Sequence, residues 1–469
     1  MMVLGMCSVV GAEETTGKIT INNAISGQKY KIYKMLDLES YDKDNNLYSY
    51  KPANDKWKTF FETGEGKNYV DINENGYVEW KTGAKVEELA QKALAYAGTE
   101  SMTATDEKDV SDGGTTVEFT GLKLGYYLVG SSAGALCSLD TTNPDATIQE
   151  KNGVPSVDKV VKSGDGYKDN NTASIGDTVE FKTTIIAQPG AQNYVLHDKM
   201  DAGLKFDGVD SIKINLKKNG EITESLVEKT NYTIKTSDLE SENPCTFHIE
   251  FKQNFCDTLK ANDQIIITYS ATLNESAVIA GDGNKNETWL KYGDSSETTH
   301  DETTTKTFEI PVFKYTLKDN NETALKDAQF VLKKKGESSG MGLECVTPKP
   351  TGKEGIVYRY KKSAAETIVT TDDSGKFTIQ GLAPGTYELV EKEAPKGYNK
   401  LSVPVKITIG NDGEVSYNTE TNATWVKVEN KTGSLLPSTG GMGTTLFYIF
   451  GAILVIGSGV VLITKKRMK

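Results

Sequence analysis

The chain has 469 residues, which is long enough for about three domains of ordinary size. Its 37% hydrophobic and 25% charged residues indicate globular domains rather than a chain embedded in a membrane along its whole length. The formal net charge of −12 argues against a nucleic-acid-binding protein, because such proteins present basic surfaces to phosphates.

Residues that commonly bind metals or catalyse hydrolysis are few in this sequence. It has three histidines, His197, His248 and His300, and five cysteines, with no CxxC pair and no HExxH motif. This composition predicts no metal site and no cofactor, and it favours a structural protein over an enzyme.

The N-terminus has the character of the end of a secretory signal peptide. A short apolar stretch leads into the small residues at 10–12, and the acidic Glu13 and Glu14 follow. No basic segment precedes the apolar stretch, so we interpret residues 1–12 as a signal-peptide remnant and leave the start codon and the cleavage site open.

Between the two ends, short β-type runs alternate with turn residues. KITI, TVEFKTTII, QIIITYSATL and PVKITI are examples, and Gly, Asn and Asp separate them. One stretch differs, because apolar residues recur at helical spacing from Val86 to Ala97; this predicts a helix over 85–97 with Gly98 as its C-cap. The pattern as a whole favours an all-β fold of tandem β-sandwich domains over an α/β enzyme.

An internal similarity helps to divide the chain. The sequence GLKLGYY at 121–127 resembles GLAPGTY at 381–387, and each reads as a turn that leads into a strand. We therefore expect the same kind of domain at both ends of the exported chain. The predicted division is an N-terminal domain, a middle domain and a last domain, with bounds 13–153, 154–307 and 308–432.

The predicted middle domain carries lysine, aspartate and asparagine residues in β-type surroundings. Lys159 lies in VPSVDKVVK, Asp198 in VLHDKMDAGLKF, and both Asn284 and Asn286 in GNKNETWLKY. These segments resemble the isopeptide-forming middle domain of Gram-positive backbone pilins, which is an immunoglobulin-like sandwich. The resemblance implies a bond between Lys159 and Asn286 with Asp198 as the acid. Asn284 remains an alternative, although strand alternation with Leu290 favours an inward Asn286.

The predicted last domain carries a second set of this kind. Lys314 lies in PVFKYTL, the segment 387–398 fits the pattern YxLxExxAPxGY with Glu391 at the glutamate of the pattern, and Asn430 ends WVKVEN. The set resembles the B-type, prealbumin-like repeat of collagen adhesins. That resemblance implies an isopeptide bond between Lys314 and Asn430, with Glu391 as the catalytic acid.

Burial explains why such bonds need these residue types together. Desolvation favours the neutral amine of a buried lysine and the protonated form of a buried carboxyl group. A neutral amine can attack an asparagine carboxamide while the acid polarises its oxygen and transfers protons. In the predicted N-terminal domain, the repeated turn aligns Ser131 with Glu391, so we predict no isopeptide bond by this route there.

The C-terminus combines a short motif, an uncharged apolar segment and a basic tail. Residues 444–464 carry no charge and would span roughly 30 Å as a helix, the thickness of a bilayer core. Lysine and arginine follow immediately, which predicts a cytoplasmic tail. Region 433–469 resembles the cell-wall sorting signal of Gram-positive surface proteins, which sortases cleave between threonine and glycine. The recognition residues are Leu436, Pro437, Ser438, Thr439 and Gly440.

A covalent pilus also needs an acceptor amine. Backbone pilins usually carry a YPKN-like segment at the end of their first domain, and this chain has QEKN at 149–152. The last two residues match, so the resemblance implies Lys151 as the lysine that a class C sortase joins to Thr439 of another subunit. Lys159 and Lys162 are nearby, and an exposed linker lysine is the alternative reading.

These resemblances imply the major structural subunit of a sortase-assembled fimbria, secreted and attached to peptidoglycan. The implied partners are identical subunits, class C and housekeeping sortases, peptidoglycan, and possible tip pilins, base pilins and host ligands. A monomeric wall-anchored adhesin or an accessory pilin stays open as the alternative. The exported cysteines are expected to be free, with Cys245 and Cys256 as the one plausible local pair.

Overall fold

The structure is a computed structural model that confirms the predicted all-β class. It describes residues 16–42, 47–111, 114–131, 134–140, 145–150, 153–188, 190–236, 244–293, 296–433 and 443–467. Three groups of strands follow one another along the described chain, and none of the sheets there mixes strands from two groups. We call them the N-terminal, middle and last regions.

The N-terminal region combines two sheets, a hairpin and two helices. Its strands are β1 (Thr16–Asn22), β2 (Lys29–Asp42), β3 (Leu47–Pro52), β4 (Val70–Ile72), β5 (Val78–Trp80), β6 (Asp106–Asp109), β7 (Thr116–Lys123), β8 (Gly125–Ser131), β9 (Gly134–Asp140) and β10 (Asp145–Gln149). One sheet has the order β10-β1-β7, and the other has the order β3-β2-β8-β9 with β6 beside β2. The helices are α1 (Asp55–Glu62) and α2 (Val86–Thr99).

The helices differ in part from the prediction. The helix expected over 85–97 is present as α2, but it continues to Thr99, so Gly98 lies inside the helix and does not cap it. Helix α1 was not predicted from the apolar spacing. Asn54 begins it, because the Asn54 side chain accepts a hydrogen bond at 3.0 Å from the Trp57 backbone N–H. Both helices bury their apolar faces against the second sheet of this region.

The middle region is a sandwich of two seven-stranded sheets. Its elements are β11 (Ser156–Ser163), β12 (Gly166–Lys168), β13 (Asn170–Thr172), β14 (Thr178–Ile186), β15 (Val195–Met200), β16 (Leu204–Phe206), β17 (Lys213–Lys218), β18 (Glu221–Ser225), β19 (Tyr232–Lys235), β20 (Phe247–Phe251), α3 (Gln253–Cys256), β21 (Gln264–Leu273), β22 (Asn284–Tyr292), β23 (Ser296–Glu297) and β24 (Asp301–Lys306). The first sheet is β12-β11-β14-β21-β17-β18, with β16 beside β21; the second is β13-β24-β22-β15-β20-β19, with β23 beside β22. Strands β14 and β21 alternate buried and less buried residues, so one face of each lies on the core between the sheets.

The last region is a second two-sheet sandwich. Its strands are β25 (Phe308–Lys318), β26 (Asn321–Ala324), β27 (Gln329–Lys334), β28 (Leu343–Cys345), β29 (Ile356–Tyr360), β30 (Val369–Thr370), β31 (Lys376–Leu382), β32 (Gly385–Glu393), β33 (Val405–Ile409), β34 (Val415–Tyr417) and β35 (Val426–Glu429). One sheet is β26-β25-β31-β29-β28, with β35 parallel to β25; the other is β30-β27-β32-β33-β34.

The middle and last regions contact each other directly. Ser174 Oγ accepts a hydrogen bond from the Ala383 backbone N–H at 2.9 Å, and Lys362 Nζ lies 2.8 Å from Asp177 Oδ1. The predicted domain boundaries fall between β10 and β11 and between β24 and β25, and they stay predictions.

The last described element is helix α4 (Gly443–Arg467), which fits the predicted membrane span. Its stretch Phe447–Lys466 is apolar and long enough to cross a bilayer, with a mean hydropathy of 2.3. None of that stretch is buried against protein, as expected for a helix whose surroundings are lipid.

Candidate functional site

The middle-region residues singled out from the sequence meet in the core of the sandwich. Lys159 lies on β11 of the first sheet, whereas Asp198 on β15 and Asn286 on β22 belong to the second sheet. Alternation along each strand turns these three side chains inward. Their residues are 1%, 0% and 0% exposed respectively, so the polar groups face one another away from bulk solvent.

We call Lys159, Asp198 and Asn286 the middle cluster. A tyrosine that sequence reasoning missed joins these three side chains through hydrogen bonds. Lys159 Nζ lies 2.6 Å from Asp198 Oδ2, and Lys159 Nζ also donates to the hydroxyl of Tyr269. That hydroxyl in turn donates to Asp198 Oδ2, and it accepts a hydrogen bond from Asn286 Nδ2 at 3.3 Å. Tyr269 therefore contacts all three predicted residues. Asn286 Oδ1 has no hydrogen-bond partner among the described residues.

Burial shifts the acid–base equilibria of this cluster toward neutral forms. Desolvation lowers the pKa of Lys159, although the charge of Asp198 acts in the opposite direction. Desolvation raises the pKa of Asp198, and its contacts with Lys159, Tyr269 and Asn286 offset only part of that effect. The arrangement therefore favours an uncharged amine beside a protonated carboxylic acid.

Asn284, the alternative to Asn286, is buried but makes different contacts. Its Oδ1 accepts from the Val278 backbone N–H at 2.8 Å, and its Nδ2 donates to the backbone oxygens of Val278 and Thr305. The amide oxygen and nitrogen thus hold the loop before β22, and the nitrogen also contacts β24. Asn286 is the asparagine whose side chain contacts the middle cluster.

The last region brings its three predicted residues together in the same way. Lys314 lies on β25, Glu391 on β32 of the opposite sheet, and Asn430 directly after β35. Because β35 runs parallel to β25 with Val428 opposite Lys314, the chain delivers Asn430 to the lysine. The side chains of Lys314 and Glu391 are both fully buried.

In this second cluster the carboxyl group lies between the lysine and the asparagine. Lys314 Nζ is 3.2 Å from Glu391 Oε1, and Asn430 Nδ2 donates to Glu391 Oε2 at 3.0 Å. The Leu401 backbone N–H and the Asn399 backbone oxygen hold the carboxyl and the amide in place. Desolvation lowers the pKa of Lys314 to about 8, although the charge of Glu391 opposes the shift.

The N-terminal region has a different pair at the corresponding place. Ser131 lies opposite Tyr30 in the β2–β8 pairing, as Glu391 lies opposite Phe330 in the last region. The Tyr30 hydroxyl donates to Glu150 Oε2 at 2.7 Å. This tyrosine–glutamate contact, and not a lysine with a carboxyl, lies at the end of the sheet where β10 stops.

The structure describes only some of the remaining predicted residues. Lys151 and the motif Leu436–Gly440 lie outside the described residues, as does the signal-peptide remnant 1–12. Cys245 and Cys256 are not joined by a disulfide, so the one plausible local pair is not formed.

Two family models match the C-terminal part of the chain. Residues 311–423 match the SpaA family model, a prealbumin-like fold domain, and residues 428–469 match the LPXTG cell wall anchor motif. No curated protein sequence matches the chain.

Among the solved structures that match the chain are three pilins, and the first of them has a similar fold. The T6 backbone pilin of serotype M6 Streptococcus pyogenes is 19% identical, with 85% of this chain and 80% of that chain covered and a TM-score of 0.53. The RrgB pilus protein of Streptococcus pneumoniae is 14% identical, with 92% and 100% covered and a TM-score of 0.46. The major pilin SpaD of Corynebacterium diphtheriae is 16% identical, with 89% and 98% covered and a TM-score of 0.45.

The fold, the prealbumin-like last region and the anchor motif thus agree with the resemblance stated from the sequence. The apolar helix α4 lies within the residues that match the anchor motif, as a membrane-spanning precursor of a wall-anchored protein requires. The chain is a cell-wall-anchored surface protein that carries a prealbumin-like SpaA domain and has the fold of a Gram-positive backbone pilin.

Proposed function

We propose that this chain is the major structural subunit of a pilus, covalently polymerised by a class C sortase and finally attached to peptidoglycan. The observation that carries the proposal is the presence of two buried lysine–carboxyl–asparagine clusters, one in each of two successive sandwiches, ahead of an LPXTG anchor. Burying charged groups of this kind lowers the stability of the fold unless the groups form ion pairs or take part in a reaction. Covalent cross-linking is a use that suits a shaft under tension.

In the middle region, Lys159 Nζ attacks the side-chain carbonyl carbon of Asn286. The Nζ–Cγ bond forms, the Cγ–Nδ2 bond breaks, and Nδ2 leaves as ammonia. Asp198 supplies a proton to the carboxamide and receives the one that the amine gives up, which requires the neutral amine and protonated acid that burial favours. Asp198 returns to its starting state, but the cross-link stays, so the reaction occurs once per molecule.

In the last region, Lys314 and Asn430 react in the same way with Glu391 as the acid. The carboxyl group of Glu391 already contacts both reacting side chains, at 3.2 Å and 3.0 Å. A lysine whose pKa is lowered to about 8 has a substantial neutral fraction at physiological pH, which is the nucleophilic form.

The two bonds would connect different parts of their sandwiches. Lys314 to Asn430 joins the first strand to the end of the last strand within one sheet, whereas Lys159 to Asn286 joins the two facing sheets. Each closes a loop of more than 100 residues, and a covalent link of that size is worth roughly 4–5 kcal/mol by analogy with disulfides. Tension along the chain would then pass through covalent bonds.

Polymerisation would use the anchor motif and an exposed lysine. The sortase cleaves between Thr439 and Gly440, and the Thr439 carbonyl is transferred to Lys151 of another subunit, so that a new amide forms between subunits. A housekeeping sortase transfers the finished polymer to peptidoglycan. The domain bounds 13–153, 154–307 and 308–432 are part of this proposal, because they put Lys151 at the end of the first domain. The polymer would hold adhesive surfaces away from the cell.

A monomeric wall-anchored adhesin or an accessory pilin would carry the same sandwiches, so the test must detect polymers. Wall extracts of producing cells, boiled in SDS and probed for this chain, should show a ladder of regularly spaced bands. Deletion of the class C sortase should reduce the ladder to a single species that remains in the wall fraction. A single band in both strains would reject the proposal that the chain is a pilus subunit and would favour the monomeric wall-anchored adhesin.

The internal bonds have a separate test in the mass of the chain. Peptide mapping of the full chain should recover Lys159 joined to Asn286 and Lys314 joined to Asn430, each lacking the mass of one ammonia. Glu391→Gln should lose only the second cross-link, because glutamine preserves the shape of the carboxyl group but cannot transfer the proton. Recovery of all four residues as unmodified peptides would reject the cross-links independently of the ladder.

A further inference from the structure

Three side chains with metal-binding atoms meet on the second sheet of the middle region. His197 on β15 is paired directly with His248 on β20, and Cys245 precedes β20 by two positions. Directly paired residues of antiparallel strands point to the same face, so the two imidazole rings lie 5.3 Å apart between centroids. The possible ligand atoms of the three residues all lie within 4.8 Å of one another.

The face that holds these residues is the one opposite to Asp198. Such a face of an antiparallel sheet commonly meets water, yet His197, Cys245 and His248 are only 3%, 7% and 7% exposed. Trp289 covers His197, because the two rings are stacked at 5.0 Å and are nearly parallel. Two imidazoles and a thiol are thus buried together at a place that is not part of the apolar core.

The orientation of His248 is the one that a metal ligand needs. Its Nδ1 lies 4.0 Å from Cys245 Sγ, and its Nε2 lies on the other side of the ring, 3.4 Å from Glu250 Oε1. Glu250 is itself paired with Lys235 at 2.6 Å. Metal-binding histidines usually direct their second nitrogen at a carboxylate in this way, which fixes the ring and the tautomer.

We propose that His197, Cys245 and His248 bind one Zn²⁺ ion. A thiolate with two imidazoles is a donor set that zinc prefers, and water would complete a tetrahedral site. Zinc bonds of 2.0–2.3 Å place ligand atoms roughly 3.3–3.6 Å apart, so the three atoms must approach by about 1 Å on binding. Cys245 loses its thiol proton to solvent when the Zn–S bond forms.

The ion would connect backbone segments on the face of the second sheet opposite to the middle cluster. It would connect β15, which carries Asp198 on its other face, to β20 and to the segment before it. The Thr246 N–H already donates to the Asp198 backbone oxygen, so this segment lies directly against that strand. Residue spacing does not indicate the site, because Cys245 and His248 are close in the chain but only the strand pairing brings His197 to them.

The test uses the full chain, without a histidine tag, purified in detergent and freed of metal by chelation. Co²⁺ is the probe, because a thiolate bound to tetrahedral cobalt gives a charge-transfer band in the near ultraviolet. One equivalent of Co²⁺ should produce the band, and one equivalent of Zn²⁺ should remove it. Absence of the band in the correctly folded wild-type chain would overturn the proposal, whatever the variants do.

Two substitutions at the proposed ligands, with two matched controls, locate the ion. Cys245→Ser should abolish the band, and His197→Gln should weaken cobalt binding at least about tenfold. The matched controls are Cys345→Ser, which removes an exposed thiol, and His300→Gln, which removes the third histidine, whose ring stacks on the other side of Trp289. Both controls should bind like the wild type. A band that persists in Cys245→Ser, or disappears in Cys345→Ser, would contradict the assignment.

Discussion

The hydroxyl of Tyr269 donates a hydrogen bond to Asp198 in the fully buried core of the middle region. The same hydroxyl accepts from the amine of Lys159 and from the amide of Asn286, so one atom contacts every group of the proposed reaction. Burial raises the pKa of Tyr269 well above its ordinary value, which keeps the phenol protonated. Tyr269 is therefore suited to hold the reacting groups in position without becoming a charged competitor.

Tyr269→Phe should slow the formation of the Lys159–Asn286 bond. The ring keeps its stacking on Phe181, whereas Asn286 Nδ2 loses its partner, a cost of about 1–3 kcal/mol for a buried unpaired donor. Mass analysis of the full chain should find a mixture of bonded and unbonded molecules, with the last-region bond complete in both. Full bonding at the wild-type rate in pulse-labelled cells would show that the hydroxyl has no positioning role.

The two neighbouring asparagines should respond differently to substitution. Asn286→Ala should remove the middle-region cross-link entirely, because the leaving amide is lost. Asn284→Ala should keep the cross-link but lower the melting temperature, because two bonds to the Val278 backbone in the preceding loop and one to the Thr305 backbone on β24 are lost. Peptide mapping distinguishes the two variants. A cross-link that survives Asn286→Ala and disappears in Asn284→Ala would reverse the assignment.

Sequence reasoning could find Lys159, Asp198 and Asn286 because each lies in a segment that resembles a known family. It could not find Tyr269. The alternation of QIIITYSATL shows which residues of β21 face inward, but the partner of each inward residue depends on how two sheets pack, and that is a long-range property. The zinc proposal depends on the same kind of information, since His197 and His248 are neighbours only through strand pairing.

Helices α1 and α2 show why the sequence predicted only part of the helical structure. Apolar spacing was enough to predict α2, but a glycine near a helix end does not have to terminate it, and hydrogen bonding carries α2 on to Thr99. Helix α1 is only eight residues long and depends on its cap at Asn54, a signal that apolar spacing does not include. Short elements of this kind are fixed more by capping and burial than by periodicity.

The lowered pKa of Lys314 predicts how the stability of a last region without the cross-link depends on pH. In Asn430→Ala the lysine and Glu391 remain, but no bond can form. The folded chain has a Lys314 pKa of about 8, and the unfolded chain has the ordinary value of 10.5. The unfolded state therefore binds more protons between these values, so the free energy of unfolding should rise with pH from about 8 to 10.5.

The control for that experiment is the double variant Lys314→Met, Asn430→Ala. It fills the same space without a titrating group, so the difference between the two variants isolates the contribution of Lys314. Calorimetry of the full chains in detergent gives both melting temperatures. If the difference stays constant across this pH window, or if the lysine variant loses stability relative to the control as the pH rises, the neutral buried amine is ruled out.

Lys151 is expected to be the lysine through which subunits are joined. The residue before it, Glu150, is held to the N-terminal region by the Tyr30 hydroxyl at 2.7 Å, so the chain enters the acceptor segment from a fixed point. Lys151→Ala and Lys151→Arg should both remove the ladder, because arginine keeps the charge but its guanidinium is not an acceptor amine. Lys162→Ala, on β11 nearby, should leave the ladder intact. A ladder in Lys151→Arg that disappears in Lys162→Ala would move the acceptor to the first strand of the middle region.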